Sequence, residues 1–278
     1  MKIVRYVAEG GEPRTGILRD EGIADAGTLS PVELIAGGAD PVAGAVTPLA
    51  GATLLAPVAR PPKFLAIGLN YADHAAEANL ATPEFPVVFA KLGSSVNGPF
   101  DAVELPRVSD QLDYEGELGF VVGRRCRHVS AAEAPSVIAG FLVVNDVSVR
   151  DWQTRTPQWT LGKSFDTHGP IGPWLTTADE IGDPHALGIR TWVNGELRQE
   201  SNTKHLIFDC YALVEHLSAA CTLEPGDVIA TGTPAGVGML MDPPRMLRAG
   251  DVVRVEIDRI GAIENRVVDE SAANEARG

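Results

Sequence analysis

Asp113-Tyr114-Glu115-Gly116-Glu117-Leu118-Gly119-Phe120-Val121-Val122 joins an acidic pair to an apolar run of strand length. In a strand, residues i and i+2 face the same way, so Glu115 and Glu117 project side by side. Two like charges at that spacing repel unless a cation sits between them or one is protonated. Gly116 between them lets another chain or a ligand approach the backbone closely. A third carboxylate, Asp146, closes the apolar run Phe141-Leu142-Val143-Val144-Asn145 at its carboxyl end. Three carboxylates so placed suit Mg²⁺, Mn²⁺ or Ca²⁺, hard cations that take oxygen ligands. Alone, a Glu-x-Glu pair is also the pattern of a solvated strand face.

Outward from this stretch the chain reads as strands. Short apolar runs recur at Lys63–Gly68, Pro86–Lys91, Gly140–Val144, Arg190–Val193, Asp227–Thr231 and Asp251–Ile257. Helical patterns are few: Ser30–Ala36 with Ser30 as N-cap and Pro31 at N1, then Ala72–Asn79, Ala131–Ile138 and Ile207–Ser218. The stiff Pro57-Val58-Ala59-Arg60-Pro61-Pro62 cannot continue a helix and marks a boundary. The reading is a β-rich α+β chain: a small β-rich module over 1–59, a catalytic body over 60–270, and a polar tail over 271–278.

The 278 residues carry 23 Lys+Arg against 37 Asp+Glu, a formal charge of −14. So acidic a surface repels phosphate backbones and anionic lipid, which argues against nucleic-acid and membrane-surface partners. Cys126, Cys210 and Cys221 are an odd, widely spaced set without C-x-x-C, as expected of a reducing compartment. No apolar stretch approaches the ~20 residues that span a bilayer. Charge and Gly come too early in Met1–Gly16 for a signal peptide, so the expectation is a cytoplasmic protein.

His74 and Glu77 fall at i and i+3 of the helix expected over Ala72–Asn79, behind Asn70 as N-cap and Asp73 at N3. A carboxylate beside an imidazole orients it as a general base needs, although an ordinary surface helix pair has the same spacing. Gly162-Lys163-Ser164 imitates the end of a phosphate-binding loop, but Pro157 stands where that pattern needs its first Gly.

Taken together and in order, these motifs resemble the fumarylacetoacetate hydrolase superfamily over residues 62–268. The resemblance rests on Gly68-Leu69-Asn70-Tyr71 leading to His74 and Glu77, Phe89-Ala90-Lys91, Asp113–Leu118, Asn145–Gln153, Gly162–Asp166, Asn194-Gly195-Glu196, Leu223–Asp227 and Thr231–Gly238. It implies a mixed β-sandwich roll, a homodimer, and a divalent metal, Mg²⁺ or Mn²⁺ with Ca²⁺ as a third choice, held by Glu115, Glu117 and Asp146. It makes Lys163 the catalytic lysine and His74 with Glu77 a water-activating dyad on a lid. Arg150 and Gln153 match positions that contact substrate oxygens, and Thr233 sits in the loop that closes the site. His168, near the lysine, reads as structural. Leu92-Gly93 after Lys91 departs from the family pattern, where many relatives carry Pro, so no relative's substrate transfers on that stretch.

The expected substrate is a small anionic 2-oxo acid. Hydrolysis of a C–C bond in a 1,3-dioxo acid of the acylpyruvate or fumarylpyruvate type leads. Decarboxylation of oxaloacetate and isomerisation of a 2-hydroxyhepta-2,4-diene-1,7-dioate type acid are the alternatives, because all three reactions pass through an enolate. A non-catalytic metal-binding scaffold is the competing class, disfavoured by the complete residue set.

Overall fold

The computed structural model describes residues 1–37, 46–72, 77 and 81–270. Nineteen strands are described, in chain order: β1 Lys2–Ala8, β2 Arg14–Arg19, β3 Gly22–Asp25, β4 Val46–Thr47, β5 Ala52–Leu55, β6 Phe64–Gly68, β7 Val87–Lys91, β8 Val96–Asn97, β9 Val103–Leu105 and β10 Leu112–Asp113. There follow β11 Gly116–Val122, β12 Ile138–Asn145, β13 Ser148–Val149, β14 Gly169–Thr176, β15 Gly188–Val193, β16 Glu196–Asn202, β17 Val228–Ala230, β18 Val252–Ile257 and β19 Gly261–Asp269. The α-helices lying wholly within the described residues are α1 Pro31–Gly37, α2 Arg150–Gln153, α3 Ala178–Ile181 and α4 Cys210–Ala220.

The main sheet runs β4-β3-β2-β1-β14-β12-β11-β17-β6-β7, with β5 also on β1 and β8 on β14. Every residue of β11 is buried, and only Ile138 of β12 is not. That is why their sequences are continuous apolar runs: both faces of the sheet are covered. Leu118, Phe120 and Val122 enter one core with Phe141 and Val143, and Val121 enters a second core with Leu142 and Val144. The first core is closed by the smaller sheet β16-β15-β18-β19-β9, through Ile189, Val253, Val255, Ile263 and Val267. Two sheets packed over a shared core make the expected β-rich sandwich.

The strands of residues 1–59 join the main sheet through β1, which pairs Lys2 with Thr176 and Ile3 with Leu175 of β14. Val32 and Ala56 share a core with Phe64 and Leu175 of the larger body.

The helical expectations fare unevenly. The α1 helix lies where Ser30-Pro31 placed it, and Ser30 and Glu33 form a reciprocal cap with Glu33 N to Ser30 Oγ 3.2 Å and Ser30 N to Glu33 Oε2 2.8 Å. The α4 helix begins three residues after Ile207, because Asp209 Oδ1 caps the amides of Tyr211 and Ala212 at 2.9 and 2.8 Å. The helix expected over Ala131–Ile138 is instead one short 3₁₀ turn, Ala134–Ser136. Pro135 has no N–H to continue a helix, and Ile138 already belongs to β12. Asp73 to Ala76 and Ala78 to Leu80, and with them most of the helix expected over Ala72–Asn79, lie outside the described residues.

Candidate metal and active site

Sheet pleating assembles the acids. Glu117 pairs with Val144 across β11 and β12, and Asp146, two residues beyond Val144, faces the same side. Glu115 sits two residues before Glu117, and its carbonyl accepts from Asp146 N at 2.8 Å. Oxygens of Glu115, Glu117 and Asp146 all fall within 4.8 Å of one another, and all three residues are buried. Gly116 is there because the second sheet presses on it: a Cβ would collide with Thr191 Oγ1 and reach Val255 Cγ1 at 3.0 Å. Burial, with Asp146 and Glu115 beside it, holds the Glu117 carboxyl well above the usual carboxylate range, against one hydrogen bond from Gly232 N at 2.7 Å. A dry cluster of three carboxylates, one resisting ionisation, is a donor set that a hard divalent cation fits.

Two lysines reach the cluster. Lys163 ends the 3₁₀ turn Thr160–Lys163, and its Nζ lies 2.8 Å from Glu115 Oε2 and 2.8 Å from Asp146 Oδ2. Burial works against its charge, but Asp146 and Glu115 outweigh it and raise the ammonium above its ordinary value. Lys91, at the end of β7, places its Nζ 2.6 Å from Asp146 Oδ1 and donates to the Lys163 carbonyl. For Lys91 burial wins over Asp146, with Lys163 adding repulsion, and the ammonium titrates below its ordinary value. Sequence reasoning noted Lys91 within a motif but gave it no role. Its signal was a lysine closing an apolar strand, where a charge is buried only if something acidic receives it.

Arg150 opens α2, with Nε 2.9 Å from Asp113 Oδ2, Nη1 2.5 Å from Glu115 Oε1 and Nη1 2.9 Å from Gln153 Oε1. Asp113, also missed as a site residue, further accepts from Gly238 N and Met239 N at 2.9 Å each. It thus ties the arginine to the loop after Thr233. Thr233 Oγ1 donates to Gly116 O at 2.9 Å, and Gln199 Nε2 donates to Thr233 Oγ1 at 2.8 Å while its Oε1 accepts from Gly116 N at 3.0 Å. Gln199 of β16 therefore braces the acidic strand and the closing loop together, a link across sheets that local sequence could not reveal.

Glu77 accepts from Gly236 N at 3.1 and 3.2 Å, which puts its carboxylate on the Thr233 loop. His74 lies outside the described residues. Asn70 has its amide tied across the fold, Nδ2 to Phe208 O at 2.9 Å and Thr231 O at 2.7 Å and Oδ1 from Phe208 N at 2.8 Å, while Asp73, which it is expected to cap, lies outside the described residues. These bonds hold neighbouring Leu69 at φ 55°, a strained conformation for a non-glycine residue beside the cavity. His168 is buried, donates from Nε2 to Glu104 O (2.8 Å), and is pushed by burial down to about 3. It is an uncharged packing residue on Phe165, as expected. Gly162 is close-packed, since a Cβ would collide with the Gln153 backbone. That accounts for the Gly-Lys-Ser motif without a phosphate.

A cavity of about 170 Å³ opens over these groups, with Glu115, Lys163, Arg150, Gln153 and Thr233 on its polar side. The structure therefore brings together Glu115, Glu117, Asp146, Lys163, Arg150, Gln153 and Thr233, with Glu77 at the loop beside them. Positive groups around a buried acidic cluster at one cavity can polarise a carbonyl and hold an enolate.

Residues 63–268 match the family model described as fumarylacetoacetate (FAA) hydrolase C-terminal. The mitochondrial oxaloacetate tautomerase of Xenopus laevis is 49% identical over 218 residues, 78% of this chain and 68% of that protein. A 5-carboxymethyl-2-hydroxymuconate delta-isomerase structure from Mycobacterium smegmatis superposes with a TM-score of 0.83 at 37% identity, covering 97% of this chain and 100% of that one. The maleylpyruvate hydrolase of Sphingobium sp. SYK-6, in complex with manganese(II) and pyruvate, superposes with a TM-score of 0.80 at 33% identity, covering 98% and 100%. With the sandwich fold and the motifs of residues 63–268 in agreement, the chain belongs to the fumarylacetoacetate hydrolase family of enzymes.

Proposed function

We propose that this enzyme binds a small 2-oxo acid, oxaloacetate foremost, and interconverts its keto and enol forms. The observation that carries the reading is Lys163: its Nζ stands 2.8 Å from both Glu115 and Asp146 at the floor of the cavity. The similarity to an oxaloacetate tautomerase supports the choice of substrate. Glu115, Glu117 and Asp146 would hold the metal, Mg²⁺ or Mn²⁺, and the manganese of the maleylpyruvate hydrolase complex supports a cation of that kind. Such a cation supplies Lewis-acid polarisation of the 2-oxo group and stabilises enolate charge.

The chain's own residues do the rest. Lys163 adds positive charge at the cavity floor and, unlike Lys91, lines the cavity as a proton carrier. Arg150, fixed by Asp113 and Glu115, holds Gln153 by its Oε1, which leaves the Gln153 amide N–H groups to bind a substrate oxygen. Thr233, braced by Gln199, limits water on the opposite side. The protein acts as a homodimer in this reading.

Hydrolysis of a C–C bond in an acylpyruvate-type acid is the second reading, favoured by Glu77. A carboxylate anchored at the Thr233 loop is suited to orient His74 as the base that takes a proton from water. The deciding experiment follows enol absorbance of oxaloacetate and pyruvate release from oxaloacetate and acylpyruvates in parallel. Tautomerisation is expected to dominate and to vanish on chelation. Fast pyruvate release from an acylpyruvate with no effect on enol decay would replace the first reading by the second.

A further inference from the structure

The cavity has a second side that neither reaction uses. Its apolar lining includes Ile67, Phe89, Trp159, Val237 and Met239. Trp159 is the largest of these. Its indole lies over Gly68, where a Cβ would collide with the ring, and meets Phe89 edge-on, with centroids 5.5 Å apart at 64°. Phe89 in turn lies under the Lys163 ammonium, 5.1 Å from its ring centroid. The Trp159 carbonyl accepts from Lys163 N at 3.2 Å, opening the turn that carries the lysine. The wall and the lysine therefore stand at the two ends of one hydrogen-bonded turn.

The space between is small. Its volume of about 170 Å³ is well below the ~300–1,000 Å³ of pockets that take drug-sized ligands. We infer that Trp159, seated on Gly68 and backed by Phe89, is the residue that limits substrate length, restricting the enzyme to short 2-oxo acids of about four or five carbons. The inference rests on the reading that 2-oxo acids bind at Lys163. An apolar wall discriminates between homologues by roughly 10- to 200-fold per methylene when the extra group has no room. Trp159 touches none of the three carboxylates, so shortening it lengthens the cavity along Gly68 without changing the charged floor.

The test measures binding, not turnover. Manganese-loaded wild type, Trp159→Ala and Trp159→Phe are titrated calorimetrically with straight-chain 2-oxo acids from 2-oxobutanoate to 2-oxooctanoate. For the wild type, Kd is expected to climb at least tenfold between the five- and seven-carbon acids. In Trp159→Ala the ratio of long- to short-chain Kd should fall at least tenfold, with Trp159→Phe between the two. Near-ultraviolet circular dichroism reports whether each variant is folded, and Trp159→Phe carries the comparison if the alanine variant is not. A wild type that binds long and short acids alike, or folded variants with the wild-type ratio, overturns the length limit alone. A wild type that binds no 2-oxo acid overturns the functional reading, and the length limit with it.

Discussion

Asp146 receives Lys91 on one oxygen and Lys163 on the other, so this fully buried carboxylate is the point on which the site's charges meet. Removing Glu115 or Asp146 takes a partner from a buried lysine, and removing any of the three takes an oxygen from the proposed cation site. Glu115→Ala, Glu117→Ala and Asp146→Ala are each expected to weaken Mn²⁺ binding more than 100-fold by calorimetry and to abolish turnover. Full activity of metal-stripped wild type would defeat that assignment. Lys91→Met would strip Asp146 and the Lys163 carbonyl of a donor, and hydrogen bonds to charged groups are worth about 1.5–3 kcal/mol. Denaturant unfolding should show a loss of that order. An unchanged midpoint would make Lys91 a spectator. His168 gives a pH prediction with a definite sign. Unfolded, it takes a proton below about 6.5; folded, burial delays this to about 3. Its contribution to stability is therefore complete above pH 6.5 and is lost as pH falls towards 3. His168→Gln should flatten the fall of melting temperature over that window, and an identical slope would refute it.

At the scale of the element, β11 shows how one strand serves two surfaces. Its odd positions Glu117, Gly119 and Val121 face the side of the acids, while Leu118, Phe120 and Val122 enter the core between the sheets. A slip of one residue would bury the carboxylates in that core, so packing locks the register that the site needs. Gly116 is where the second sheet comes closest. Gly116→Ala forces a Cβ against Thr191 and Val255, an overpacking that costs roughly 1–3 kcal/mol. The expected result is a lower melting temperature together with weaker Mn²⁺ binding, since Glu115 and Glu117 flank the displaced backbone. A stability loss with unchanged metal affinity would show that the strand absorbs the strain away from the acids.

Across the whole molecule, the formal charge of −14 opposes the proposed anionic substrate, so its attraction must be local, from Lys163, Arg150 and the proposed cation. Salt should then alter substrate affinity little, because these charges are buried. The strands of residues 1–59 extend the main sheet at β14 and lend Val32 and Ala56 to its core. Deleting them is expected to uncover a sheet edge and an apolar face, giving a chain of 60–278 that aggregates on gel filtration. A truncated chain that stays monodisperse and melts as the full one does would show the module to be separable. Among the described residues, no helix is long and apolar enough to cross a membrane.

The acids of the site were legible because strand period alone puts Glu115 and Glu117 on one side, and the β-rich class was legible because buried strands are written as unbroken apolar runs. Lys163, Arg150 and Thr233 needed the ordered motifs as well. Helix Ala131–Ile138 misled because local propensity cannot see that the same residues must enter a sheet. Lys91, Asp113 and Gln199 were invisible in their roles for a related reason: each acts through partners 34 to 126 residues away, Asp146, Arg150 and Gly116 among them. Sequence determined which side chains are available and which way a strand turns them. Only the tertiary structure decided which charges are buried together, because desolvation and Coulomb energy depend on distance in space and not along the chain.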